Sequence, residues 1–141
     1  MKLISHRGNT NGKSEGENHP SLVETTLNAG FDCEIDVWLQ GGEWYLGHDC
    51  PLYPISFDFL ERRGLWCHAK DLRTLEAFTS TALHFFWHEH DSFSLTSRGY
   101  IWTEPLKPLG NLSICLFPER TEQDFSKSYG ICSDFITLYK T

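Results

Sequence analysis

Apolar residues recur along the chain in short strand-like runs separated by polar, turn-rich segments. The runs "KLISH" (2–6), "CEIDVWL" (33–39), "EWYLGH" (43–48), "LWCHA" (65–69), "LHFFWH" (83–88), "GYIWTE" (99–104), "SICLF" (113–117) and "GICSDF" (130–135) predict strands. Helical spacing replaces alternation in two places. Residues 21–30 place Leu22, Val23, Leu27 and Ala29 at rough helical intervals, entered at Pro20-Ser21 and stopped at Gly30. Residues 71–81 do the same with Leu72, Leu75 and Phe78, with Asp71 placed to cap the N-terminus. A third, short helix is expected over 121–130, with Thr121 and Asp124 as a variant capping box. Gly41-Gly42 joins two strand runs and predicts a tight hairpin. Residues 89–98 and 104–111 read as loops. The order β-α-β, hairpin, β-α-β, then mostly strands, predicts a parallel sheet with helices outside it.

Composition narrows the class. A chain of 141 residues with a 40% hydrophobic share fits one domain, 1–141, able to bury a core of its own. Its net charge of −7 argues against nonspecific nucleic-acid binding, yet allows a small anionic substrate if a bound divalent cation reverses the local field. The cysteines Cys33, Cys50, Cys67, Cys115 and Cys132 form no C-x-x-C pair, and four of them sit in strand runs as small hydrophobes. Their odd, scattered count, without a signal-peptide pattern or an apolar run of roughly 18 residues, leads to the expectation of a soluble cytoplasmic domain with no membrane insertion.

Polar residues at strand ends carry the chemistry. Alternation puts Glu34 and Asp36 on one face of their strand and Cys33, Ile35 and Val37 on the other. Two acids a pleat apart suit a hard cation; the bland reading is a solvated edge, or pairing with Lys or Arg. His6 closes the first strand, where βα architectures build their sites, and is placed for acid–base work or for a structural hydrogen bond. His48-Asp49 is a second such end. Lys70 in "HAK" could hold a phosphate oxygen or merely flank a helix. In "WHEHD", His88 and Glu89 are candidates to line the same site, against the simpler reading of a solvated loop.

The set resembles the glycerophosphodiester phosphodiesterase family of phospholipase C-like barrels. The resemblance rests on H-R-G (His6, Arg7, Gly8), E-N (Glu17, Asn18), a helix ending at Ala29-Gly30, D-x-E-x-D-V (Asp32, Glu34, Asp36, Val37), H-D (His48, Asp49) and the strand ending in Lys70. More loosely it extends to "GICSDF"; the ordered match spans residues 3–75. It implies His6 and His48 as an acid–base pair, Glu34 and Asp36 on a divalent cation, and Arg7 and Lys70 on phosphate oxygens. The substrate would be a small-molecule phosphodiester and the cation Mg²⁺ or Ca²⁺. A phosphate-binding module on the same scaffold, without turnover, is the alternative.

Two departures set further expectations. The family's third acidic ligand falls at His68. Either that imidazole ligates directly, favouring Mn²⁺ or Zn²⁺, or Glu17, Glu89, Glu104 or Glu119 fills in. A complete TIM-type (β/α) barrel takes about 250 residues. The expectation is therefore a small, truncated or irregular α/β barrel with helices missing in its second half, its uncovered faces suited to a homodimer.

Overall fold

A computed structural model describes residues 1–141. In chain order the elements are β1 (Lys2–His6), α1 (Pro20–Asn28), β2 (Asp32–Gln40), β3 (Glu43–Leu46), β4 (Tyr53–Ile55), α2 (Phe57–Leu60), β5 (Leu65–Ala69), α3 (Leu72–Phe78), β6 (Phe85–Phe86), β7 (Phe93–Leu95), β8 (Ile101–Thr103), β9 (Ser113–Leu116) and β10 (Gly130–Ser133). One-turn 3₁₀ segments cover Pro118–Arg120 and Ile136–Tyr139.

The helix starts follow their sequence signals. Pro20 occupies the first turn of α1, and the side chain of His19 accepts from the Ser21 amide. Asp71 caps α3, its carboxylate accepting from the Thr74 amide at 2.9 Å. Gly41 and Gly42, at φ 59° and 78°, make the two-residue turn that pairs Gln40 with Glu43 across β2 and β3. The helix expected over 121–130 does not form. Local side-chain bonds capture the backbone instead: Thr121 Oγ1 accepts from the Gln123 amide and Asp124 from the Ser126 amide.

Parallel ladders join β6, β5, β2, β1, β10, β9 and β8, in that spatial order. The long β2 pairs with β1 through its first residues and with β3 through its last, so one strand feeds both parallel and antiparallel neighbours. β4 adds to β3, and β7 adds to β8, both antiparallel.

The expected TIM-type barrel is corrected here. The architecture is a curled, mixed half-barrel sheet of ten strands with three α-helices, not a barrel of alternating strands and helices. Connection length is the physical cause. Past α3 the links are too lean to carry crossover helices, and residues 89–98, expected as a loop, supply the antiparallel β7. β6 is only two residues long and pairs with β5 alone.

The sheet separates three apolar clusters. On its convex side Val23 of α1, Leu60 of α2 and Phe78 of α3 pack on Cys33, Ile35, Val37 and Cys67. Inside the curl, Ile4, Trp66, Phe86, Trp102, Ile114, Leu116 and Cys132 meet from six strands. A third cluster packs Ile136 against Phe31, Cys115 and Ile131. Each such fully buried side chain contributes about 1.5–3 kcal/mol. Trp102 is therefore a core residue. All five cysteines are free, and only Cys50 is exposed. No helix is long and apolar enough to cross a membrane.

Candidate active site

Parallel strands deliver their C-terminal ends to one rim, where the polar residues gather. The rim encloses a cavity of about 740 Å³ reached by residues from β1, β2, β5 and the segments after β3, β6, β8, β9 and β10.

His6, the last residue of β1, lies beside β10. Its Nδ1 is 2.8 Å from Asp134 Oδ1, and its Nε2 is 3.7 Å from Glu34 Oε2. An ionised carboxylate only accepts, so Nδ1 carries a proton, and in the neutral ring Nε2 is the free base facing the cavity. Burial alone would push Asp134 up, but the hydrogen bond from His6, that ring's charge, Asn9 and Arg120 hold it below the usual carboxylate value. Asn9 Nδ2 donates to Asp134 at 2.9 Å and to Glu17 Oε2 at 3.1 Å, tying the first loop to the last strand. The Phe117 ring stands edge-on to His6 at 4.9 Å, and Arg120 lies over that same ring at 3.8 Å.

Glu34 and Asp36 point into the cavity from β2, as alternation requires, and both are buried. Their surroundings differ. Asp36 accepts from Asn18 Nδ2 at 2.9 Å and lies 3.1 Å from Arg7 Nε, 3.1 Å from His68 Nδ1, 3.5 Å from His48 Nδ1 and 3.9 Å from Lys70 Nζ. Burial opposes its charge, yet the bonds from His48 and His68 and the Arg7 charge hold it well below the carboxylate range. Neither carboxylate oxygen of Glu34 has a hydrogen-bond partner. Burial, and then the neighbouring Asp36 charge, push Glu34 well above the carboxylate range.

An orphaned buried carboxylate is costly unless something cationic meets it. Ligand atoms of Glu34, Asp36 and His68 lie within 4.8 Å of one another. Two carboxylates and an imidazole so placed fit a divalent cation.

The remaining sequence candidates divide. Arg7, Lys70 and His48 join the rim around Asp36, with Arg7 Nη2 3.5 Å from His48 Nε2. Glu17, expected as a possible further ligand, lines the cavity and accepts from Arg7 at 3.3 Å and from Asn9 at 3.1 Å. Glu89 lines the cavity. His88 lines it too, with both ring nitrogens engaged at 2.7 Å, by Ser94 and by Glu104. Glu119 stands apart, accepting from Ser133 Oγ at 2.8 Å. Sequence reasoning missed Asp134, Asn9, Arg120 and Phe117 as site residues. An acid directly after the strand-like "GICS" was the available signal for Asp134.

Backbone strain concentrates at the rim. Arg7, Asn18 and Phe117 adopt left-handed conformations, at φ 60°, 66° and 49°. Each costs of order 1 kcal/mol and persists where surrounding bonds enforce it. The Arg7 amide donates to Glu34 O, its carbonyl accepts from the Asn18 amide, and the Phe117 amide donates to Cys132 O.

Comparison with protein-family models, curated proteins and solved structures finds no match. The functional reading therefore stands on the site itself.

Proposed function

We propose that this protein cleaves a small phosphodiester with the help of a divalent cation, as its resemblance to the glycerophosphodiester phosphodiesterases implies. One observation carries the reading: His6, oriented by Asp134, presents its free nitrogen beside a buried carboxylate that has no partner. A structural histidine would not need an unsatisfied acid next to it.

The residues divide the work. His6 Nε2 takes a proton from the attacking water or substrate hydroxyl as the new P–O bond forms. Protonated His48, half exposed across the rim, returns a proton to the leaving alkoxide as the old P–O bond breaks. Arg7 and Lys70 stand close enough to Asp36 to meet nonbridging phosphate oxygens at the same spot. When bound to Glu34 and Asp36, the cation would supply Lewis-acid neutralisation of the phosphate charge.

Phosphorus NMR tests this directly. A panel of glycerophosphodiesters, lysophospholipids and cyclic phosphates would be incubated with Mg²⁺, Mn²⁺ or Ca²⁺ and with chelator. The expected result is cation-dependent turnover that falls by roughly 10²–10⁴-fold in His6→Ala or His48→Ala. No turnover from folded, cation-loaded protein overturns catalysis and leaves a phosphate-binding module.

A further inference from the structure

Two hydrogen-bonding groups on β5 and the segment after β6 fix which nitrogen of His68 faces the carboxylates. His68 Nε2 lies 2.9 Å from the backbone carbonyl of His88, a group that can only accept. Nε2 therefore carries the hydrogen. In the neutral ring the lone pair is on Nδ1, which lies 3.1 Å from Asp36 Oδ1 and within the same cluster as Glu34. A lone pair aimed at an ionised carboxylate is repulsive unless a cation sits between them. This is the arrangement of a histidine ligand whose other ring nitrogen is held by a backbone carbonyl. The Phe86 ring, stacked on His68 at 5.1 Å and 10°, keeps the imidazole plane from turning away.

Glu34 supplies the independent observation. It is buried, lies one pleat from Asp36, and has no hydrogen-bond donor on either oxygen. A purely structural imidazolium bridging Asp36 and the His88 carbonyl would satisfy His68 and Asp36. It would leave Glu34 unexplained.

We infer that His68 is a direct ligand through Nδ1, giving a Glu–Asp–His donor set that selects a first-row transition ion such as Mn²⁺ or Zn²⁺ over Mg²⁺ and Ca²⁺. The inference rests on the cation reading above and specifies it. Mg²⁺ and Ca²⁺ take oxygen donors, whereas an imidazole raises affinity along the transition series. The positioning residue is His88, which acts through its carbonyl; its ring is occupied by Ser94 and Glu104.

The test uses the full chain and Mn²⁺ alone as probe. Equilibrium titration followed by electron spin resonance counts bound ion, and pulsed spin resonance detects a directly bonded nitrogen. Expected are one tight Mn²⁺, a histidine nitrogen coupling that changes on ¹⁵N-histidine labelling, and resistance to displacement by a tenfold excess of Mg²⁺ or Ca²⁺. The coupling should persist in His6→Ala and His48→Ala and vanish in His68→Asp. That variant restores a third carboxylate, and it should shift preference towards Mg²⁺ by about tenfold or more.

Tight Mn²⁺ without nitrogen coupling, or with Mg²⁺ competing equally, overturns the His68 assignment and leaves the two-carboxylate cation site standing. No saturable binding, or binding unchanged in Glu34→Gln, overturns both. Should His68→Asp fail to fold, the labelled wild-type spectrum, with His6→Ala and His48→Ala as controls, still decides.

Discussion

Glu34 and Asp36 are a pleat apart on one strand, yet their partners make them opposites. Asp36 is surrounded by Arg7, Lys70, His48, His68 and Asn18, so it is a structural hub as well as a candidate ligand. Asp36→Asn strips the charge that neutralises Arg7 and should cost about 3 kcal/mol by urea denaturation. Glu34 makes no hydrogen bond and burial opposes its charge, so Glu34→Gln in cation-free protein should cost no more than about 1 kcal/mol. A loss above about 1 kcal/mol in Glu34→Gln would show a partner that the geometry lacks. For Asp134, the expected effect is kinetic. Asp134→Asn leaves the His6 ring free to adopt either tautomer, and kcat on a phosphodiester should fall by roughly 10²-fold or more with KM little changed. A fall in KM-controlled binding alone would make Asp134 a structural residue. That the first-half candidates gather at one rim was legible because His6, His48 and Lys70 end or follow strand-like runs and Glu34 and Asp36 share one face of theirs. Asp134 was the exception: the acid after "GICS" was its one linear signal, and its role depends on β10 lying beside β1.

At the scale of elements, the accurate readings were those with a mechanism confined to a few residues. Asp71 and Pro20 start their helices, and Gly41-Gly42 turns its hairpin, because caps and turns need no partner from elsewhere in the chain. The helix expected at 121–130 failed for the same reason in reverse: Thr121 and Asp124 satisfied nearby amides without helix. β7 went unread because its pairing with β8 is tertiary, and its burial alternates in the inverse sense, with apolar Phe93 and Leu95 exposed and polar Ser94 buried. The turn after β3 offers a test of how an element aims a side chain. Gly47 has φ 158°, and a Cβ there would overlap the Cys50 carbonyl oxygen. The backbone must move to admit any side chain, and His48 is the next residue. Gly47→Ala should therefore cost about 2–4 kcal/mol and reduce turnover beyond the loss of folded protein. Measured activity that simply tracks the folded fraction would separate the turn from the aim of His48.

The molecule as a whole has a seam where β6 and β8 are not joined by a strand ladder. Residues around it are stitched by other bonds: the Ser97 amide donates to Phe85 O, Ser97 Oγ to Leu83 O, and Arg98 to Ala82 O. His84 sits in this seam. Its Nε2 is 2.8 Å from Thr96 Oγ1, and its ring packs at 4.1 Å on Trp66 of the inner cluster. Burial, aided by the Arg98 charge, pushes His84 down from 6.5 to about 4. The folded state therefore resists the proton that the unfolded chain accepts. Stability from this group is fully present above pH 6.5 and is lost as pH falls from there through about 4. The ring is buried, so the shift corresponds to about 3 kcal/mol across that window. Asp36 and Asp134, both held below the carboxylate range, add their own loss at lower pH, so the two contributions separate on the pH axis. His84→Gln carries no titrating ring and retains a polar partner for Thr96. Its denaturation free energy should be flatter than wild type between pH 6.5 and 4 and should fall in parallel with it below that range. Parallel curves throughout would mean that the acid lability of the fold lies in its carboxylates and not in the seam.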